Sequence, residues 1–406
     1  DRPRAVAGDE GLHHLIKKVQ VLPGLYQMPN DHNLVRAFKR QGSKGEDVAR
    51  KWIKKAKFEG RKISVAGDIW TDGELSILLV MGYVIFDGSI WSRQVLAVVE
   101  FSKLSHTGLQ IKRTTYKALK DVGMEDCTDE VWRKVSDAGS NIKKGWNGFD
   151  GGDQTCADHK LERSTLLYTD EPEIGAMSRK RHESATHMKY STVSANNVSD
   201  SQALFDAPGN KAVRSNATRW RSHHAESRWF RQHAVDMADA KHMSGNEVLE
   251  EKLLSAFEQQ LNDEEEANLA VAARVSLALE PDTEPTISLV LPYIDSILNS
   301  MNPNQDVHMI GGDIKKNDEL LRASQKARET VYKDFKRRWV EEIDEDYLAT
   351  LKVASFCDPR HKAFRFRHMN RAARSAFFRD ATRLAKELYD EEYAPKSAPN
   401  SPAAID

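Results

Sequence analysis

Residues 62–70 read KISVAGDIW, residues 74–91 ELSILLVMGYVIFDGSIW and residues 92–101 SRQVLAVVEF. These are short runs rich in Val, Ile and Leu, separated by turn residues at Thr71-Asp72-Gly73 and Asp87-Gly88. Such punctuation predicts three consecutive strands joined by hairpins. Leu75 to Phe86 is the longest apolar patch, but Gly82 interrupts it and it falls short of the ~20 residues a membrane span needs. It reads as a buried strand. Downstream, His106 to Val122 returns to helical spacing, with Leu109, Ile111, Tyr116, Leu119 and Val122 as the buried set. VWRKVSDAG at 131–139 then predicts a fourth strand ending in Asp137, and a helix begins near Ser140-Asn141. The order strand, strand, strand, helix, strand, helix defines an α/β class.

Outward from this block the pattern is helical. Leu34, Val35, Phe38, Val48, Trp52, Ile53 and Ala56 supply apolar faces on either side of a break at Gln41–Gly45. Residues 170–216 are polar and read as short helices on flexible connections. Beyond Thr218 long helical patterns dominate, and YAPKSAPNSPAAID at the end is Pro/Ser-rich and reads as a disordered tail. The expected organisation is a basic helical lead-in (1–60), a partial catalytic core (61–170), a polar connecting segment (171–217), an α-helical domain (218–393) and the tail (394–406).

With 406 residues, the chain exceeds one ordinary core. Hydrophobic residues at 40% and charged residues at 30% describe a globular, soluble protein with no membrane partner. The formal net charge is only −1, but it is segregated. Residues 1–62 hold 15 Lys/Arg against 7 Asp/Glu, residues 246–295 hold 2 against 12, and residues 359–386 hold 9 against 1. The basic regions suit phosphates, and the acidic stretch is expected to face solvent or another protein. Lys51, Lys54, Lys55, Arg371 and Arg374 are candidate DNA contacts, although the same residues also fit solvated faces of amphipathic helices. Three cysteines without a CxxC pair encode neither a disulfide framework nor a complete zinc finger.

Asp68 is expected to end one apolar strand and Asp137 another, so both should project at one end of a sheet. Two such carboxylates are hard oxygen ligands of the kind Mg²⁺ takes. With a third acid they would support metal-assisted phosphodiester cleavage.

KISVAGDIWTDG resembles the signature around the first catalytic aspartate of the hAT superfamily of DNA transposases, with Asp68, Trp70 and Thr71 matching. VSDAGSNI resembles the second signature through Asp137, Asn141 and Ile142. CADHKL is similar to the family's C-x-x-H segment, with Cys156 and His159; side-chain packing and metal ligation both fit that pair. NATRWRSHH resembles the T-R-W motif at Thr218, Arg219 and Trp220. EPTISLVLPYIDSIL with Pro292 and FCDPRHK at Asp358 to Lys362 resemble later landmarks, so the resemblance runs over residues 22–365. It implies a ribonuclease-H-like mixed sheet with a large inserted all-α domain. It also implies Asp68 and Asp137 as catalytic and metal ligands, Mg²⁺ or Mn²⁺ as cofactor, transposon-end and target DNA as partners, a homo-oligomer, and the nucleus as location.

The chain departs from the family in having neither the usual zinc-finger module nor the Ser-Glu-Arg motif whose glutamate completes the acidic triad. Glu387, Glu391 and Glu392 are the acids nearest in kind. Two expectations follow: a truncated or decayed transposase that binds DNA and metal, or a host-adopted nuclear factor that binds DNA or protein without cutting.

Overall fold

The three apolar runs form strands β1 (Ile63–Asp72), β2 (Leu75–Phe86) and β3 (Ile90–Glu100), paired antiparallel in succession. This computed structural model describes residues 31–72, 75–86, 90–101, 105–125, 130–137, 139–147, 152–190, 196, 199, 212–213, 220–244, 253–280, 285–361 and 370–393. Its contacts divide the chain into two units, Asp1–Thr155 and Cys156–Asp406, each around its own core.

In the first unit, burial alternates along β2, with Leu78, Val80, Val84 and Phe86 inside, as a half-covered sheet requires. Helix α1 (Asp31–Phe58) places Ala49, Ile53 and Ala56 in the same core, at i, i+4 and i+7. The helix runs unbroken through residues 41–45, contrary to the expected break. Gly45 lies on an exposed stretch, where a glycine costs a helix only about 1 kcal/mol, too little to end it. After helix α2 (Gly108–Asp121), strand β4 (Val131–Ser136) returns parallel to β1. Helix α3 (Ser140–Trp146) follows, and strand β5 (Gly152–Thr155) pairs parallel to β4. The five strands lie in the order β3-β2-β1-β4-β5, a mixed sheet. Sequence reading missed β5 because GDQT has no apolar alternation and gains its place only from β4.

The second unit is almost entirely helical. It comprises α4 (Ala157–Leu166), α5 (Pro172–Tyr190), α6 (Trp220–Gln232), α7 (Ala234–Ser244), α8 (Ala256–Leu279), α9 (Val290–Met301), α10 (Arg322–Lys336), α11 (Glu345–Cys357) and α12 (Arg371–Tyr393). A two-residue hairpin pair, β6 (Val307–His308) and β7 (Ile314–Lys315), interrupts the series.

Two expectations fail here. Residues 172–190 form one long helix rather than short ones, with Ile174, Met177, Ala185 and Met188 buried. Arg181, Ser178 and Ser184 are buried among them, and these polar residues at core positions hid the helical period.

The acidic stretch also does not simply face solvent. Glu264, Glu265 and Glu266 on α8 are buried. Each meets a cation: Lys315 lies 3.1 Å from Glu264, Arg181 2.7 Å from Glu265 and Arg231 2.5 Å from Glu266. Burial of a carboxylate is tolerable only with such pairing. The partners come from α5, α6 and β7, far away in sequence. The polar segment 191–211, apart from residues 196 and 199, and the tail 394–406 lie outside the described residues.

Candidate functional site

Strands β1 and β4 pair in parallel with Gly67 opposite Ser136. Asp68 and Asp137 are the residues that follow this last pair on their two segments. β1 does not end at Asp68, as the sequence suggested; it continues to Asp72, because Ile69 to Asp72 still pair with Leu75 to Leu78 of β2. Asp68 is therefore held within a ladder, opposite Leu79, and its side chain is exposed. Asp137 is the first residue past β4 and is half-buried.

The face on which Asp68 projects follows from its neighbour. The Trp146 indole fills the space beside Gly67 so closely that a Cβ there would collide with it. Gly67 thus points to the helix-covered face, and Asp68, one residue on, to the other. On the covered face the buried Lys134 of β4 donates to the Trp146 carbonyl at 2.7 Å, tying the strand to the end of α3. The Gly139 N–H donates to Asp137 Oδ1 at 3.1 Å, which fixes that carboxylate at the entry to α3.

The other sequence candidates separate into groups. The Thr71 and Ser76 hydroxyls are 3.0 Å apart across the β1–β2 hairpin, and Asn141 is exposed in the first turn of α3. Trp70 lies in β1 and Trp220 opens α6, but both side chains are outside the described residues, as are Thr218, Arg219 and Lys362. Cys156 caps the N-terminus of α4 and His159 lies on its first turn, with Nε2 4.0 Å from Glu162. Both belong to the second unit. Beside them, burial pushes the Asp158 carboxyl above its usual range despite a hydrogen bond from Ser276. Among the described residues no group of three or more His, Cys, Asp or Glu is arranged to hold a metal ion. Glu387 accepts from Arg383 at 2.7 and 2.8 Å on the exposed side of α12, which suits a solvated ion pair.

Of the candidate DNA contacts, Lys51 and Lys54 are exposed on α1. Lys55 lies 3.5 Å from Glu59 and 4.2 Å above the Phe86 ring. Arg371 is exposed and Arg374 half-buried on α12.

Sequence reasoning missed a cavity of about 690 Å³ in the second unit, lined by Asn268, Arg274, Tyr293, Asn299 and His308. Those residues come from α8, α9 and β6, and no motif links them.

No helix among the described residues is long and apolar enough to cross a membrane. No protein-family model matches the chain, and no curated protein matches it. Fold and site together define a mixed α/β protein in which Asp68 on β1 and Asp137, just past β4, follow the paired residues Gly67 and Ser136 of neighbouring parallel strands.

Proposed function

We propose that this chain is a hAT-type transposase or a transposase-derived protein. In this reading its first unit is a ribonuclease-H-like sheet, its second the inserted helical domain, and its ancestral activity metal-dependent cutting and joining of DNA at transposon ends in the nucleus. The observation that carries the reading is the parallel register of β1 against β4, which pairs Gly67 with Ser136, the residues that precede Asp68 and Asp137. The strand order β3-β2-β1-β4-β5, with only the first hairpins antiparallel, supports it as well.

Asp68 and Asp137 fit Mg²⁺ or Mn²⁺ in their donor chemistry, both being hard carboxylate ligands. Such a cation, when bound, would lower the pKa of a water and stabilise the leaving oxygen of a phosphodiester. The chain's own contribution is positional: the β1–β2 ladder holds Asp68, and the Gly139 N–H orients Asp137.

The second reading is a non-catalytic nuclear factor that binds DNA or protein. The lack of a third clustered ligand among the described residues favours it.

Incubating the full chain with supercoiled plasmid and Mn²⁺, beside Asp68→Ala and Asp137→Ala, separates the two. Nicking by the parent that both substitutions abolish supports the transposase reading. Nicking that survives them removes the pair from the chemistry, and no nicking by the parent supports the non-catalytic reading.

A further inference from the structure

Helices α2 and α3 cross in near contact because two glycines omit the atoms that would separate them. A Cβ on Gly108 would lie 2.7 Å from that of Lys144, and one on Gly145 would lie 2.9 Å from the Gly108 carbonyl oxygen. The inner sides of the pair are apolar, with Ile111, Leu119, Ile142 and Trp146 buried. The two helices also carry exposed Arg113, Lys117, Lys120 and Lys144 and half-buried Lys112 and Lys143, against a single acid, Asp121. Arg113, Lys117 and Lys120 sit at i, i+4 and i+7, share one face of α2 and are all exposed. The glycine crossing brings the exposed Lys144 beside the N-terminal end of the same helix.

These cations differ from the basic residues of α1. There, Arg50 is bound to Glu46 and Asp47, and Lys57 to Glu130. Among the described residues, none of the six side chains on α2 and α3 has a hydrogen-bond or ion-pair partner. Clustered like charges without counter-charges repel one another and raise the local potential for an anion. A repeating anion with several charges fits such a row better than a single small one.

We propose that the outer face of α2 and α3 binds the phosphodiester backbone of double-stranded DNA. The choice of DNA among polyanions rests on the reading of the chain as a DNA-acting protein.

The test measures DNA affinity of the full chain against salt concentration, with a 30-base-pair duplex of arbitrary sequence as probe. The parent is compared with R113Q/K117Q/K120Q/K144Q and with R322Q/K326Q/K333Q/K336Q, an equal charge change on exposed positions of α10. Circular dichroism confirms that each variant is folded.

Each lost phosphate contact lowers the slope of log affinity against log salt by ~0.9, so the α2–α3 variant should lose about 3 to 4 in slope and the α10 variant far less. An unchanged slope in the α2–α3 variant, or equal losses in both, would overturn the proposal while leaving DNA binding itself intact. A parent without salt-dependent DNA binding would overturn both this proposal and the functional reading beneath it. Stronger competition by polyglutamate than by duplex at this face would assign it to an acidic protein instead. Binding lost from the α2–α3 variant alone supports the proposal even where the parent does not nick DNA.

Discussion

Arg181 of α5 and Glu265 of α8 meet at 2.7 Å with neither side chain reaching solvent. The same guanidinium donates to Asn262 at 2.7 Å, and its Nε lies 4.0 Å from the fully buried Glu226. Removing Arg181 would take away the two-point partner of the fully buried Glu265 carboxylate. Arg181→Met should therefore cost about 3 to 5 kcal/mol by urea denaturation, and R181M/E265L should recover part of the loss. A single variant as stable as the parent would show that the cluster is neutralised in another way.

Gly67 is the point where β1 passes the Trp146 indole, and a side chain there has no room. Overpacking of this kind costs about 1 to 3 kcal/mol. Gly67→Ala should lose that much stability, and the second change Trp146→Leu should return some of it. Thermal unfolding of the three proteins checks this. No loss in the single variant would mean that strand and helix separate freely, and the placement of Asp68 would lose its structural support.

Asp358 follows α11, accepts from Arg360 Nη2 at 2.7 Å and from the Ser288 hydroxyl at 2.8 Å. The Arg360 guanidinium, foremost, holds its carboxyl well below the usual 3.8, with the Ser288 bond adding to the effect. A carboxyl depressed in the folded state binds protons more weakly there than in the unfolded chain. Its stabilisation is thus complete above the unfolded value and fades as pH falls through the folded one. Asp358→Asn should be less stable than the parent at pH 7, with the gap narrowing as pH drops below about 4. Urea midpoints at pH 7 and pH 3 measure the gap, and a gap independent of pH would contradict the assignment.

Two carboxylates that share one cation lose it together. Asp68→Asn and Asp137→Asn should each weaken Mn²⁺ binding roughly tenfold or more, and the double variant should add little beyond either single one. Isothermal titration calorimetry of the four proteins distinguishes this from independent sites, whose losses would add.

Much of the local structure is legible in the sequence. Turn residues at Thr71-Asp72-Gly73 and Asp87-Gly88 punctuate β1, β2 and β3, and the spacing of Ile111, Tyr116 and Leu119 marks α2, because hairpins and amphipathic helices are governed by near neighbours. Asp68 and Asp137 could be singled out for the same reason, each following an apolar run. What the sequence by itself determined is thus the type and order of the elements from β1 to α3 and the two acids they carry, but not β5. The placement of those acids on neighbouring segments was decided by tertiary structure: β4 docks parallel to β1 only after a crossover, and register between distant strands is fixed by the packing of Trp146, Gly67 and Lys134. The same holds for the buried acids of α8, whose composition suggested solvent and whose burial depends on cations from three other segments. Local periodicity records which face of an element is apolar. It does not record a charge that becomes buried because a distant residue neutralises it.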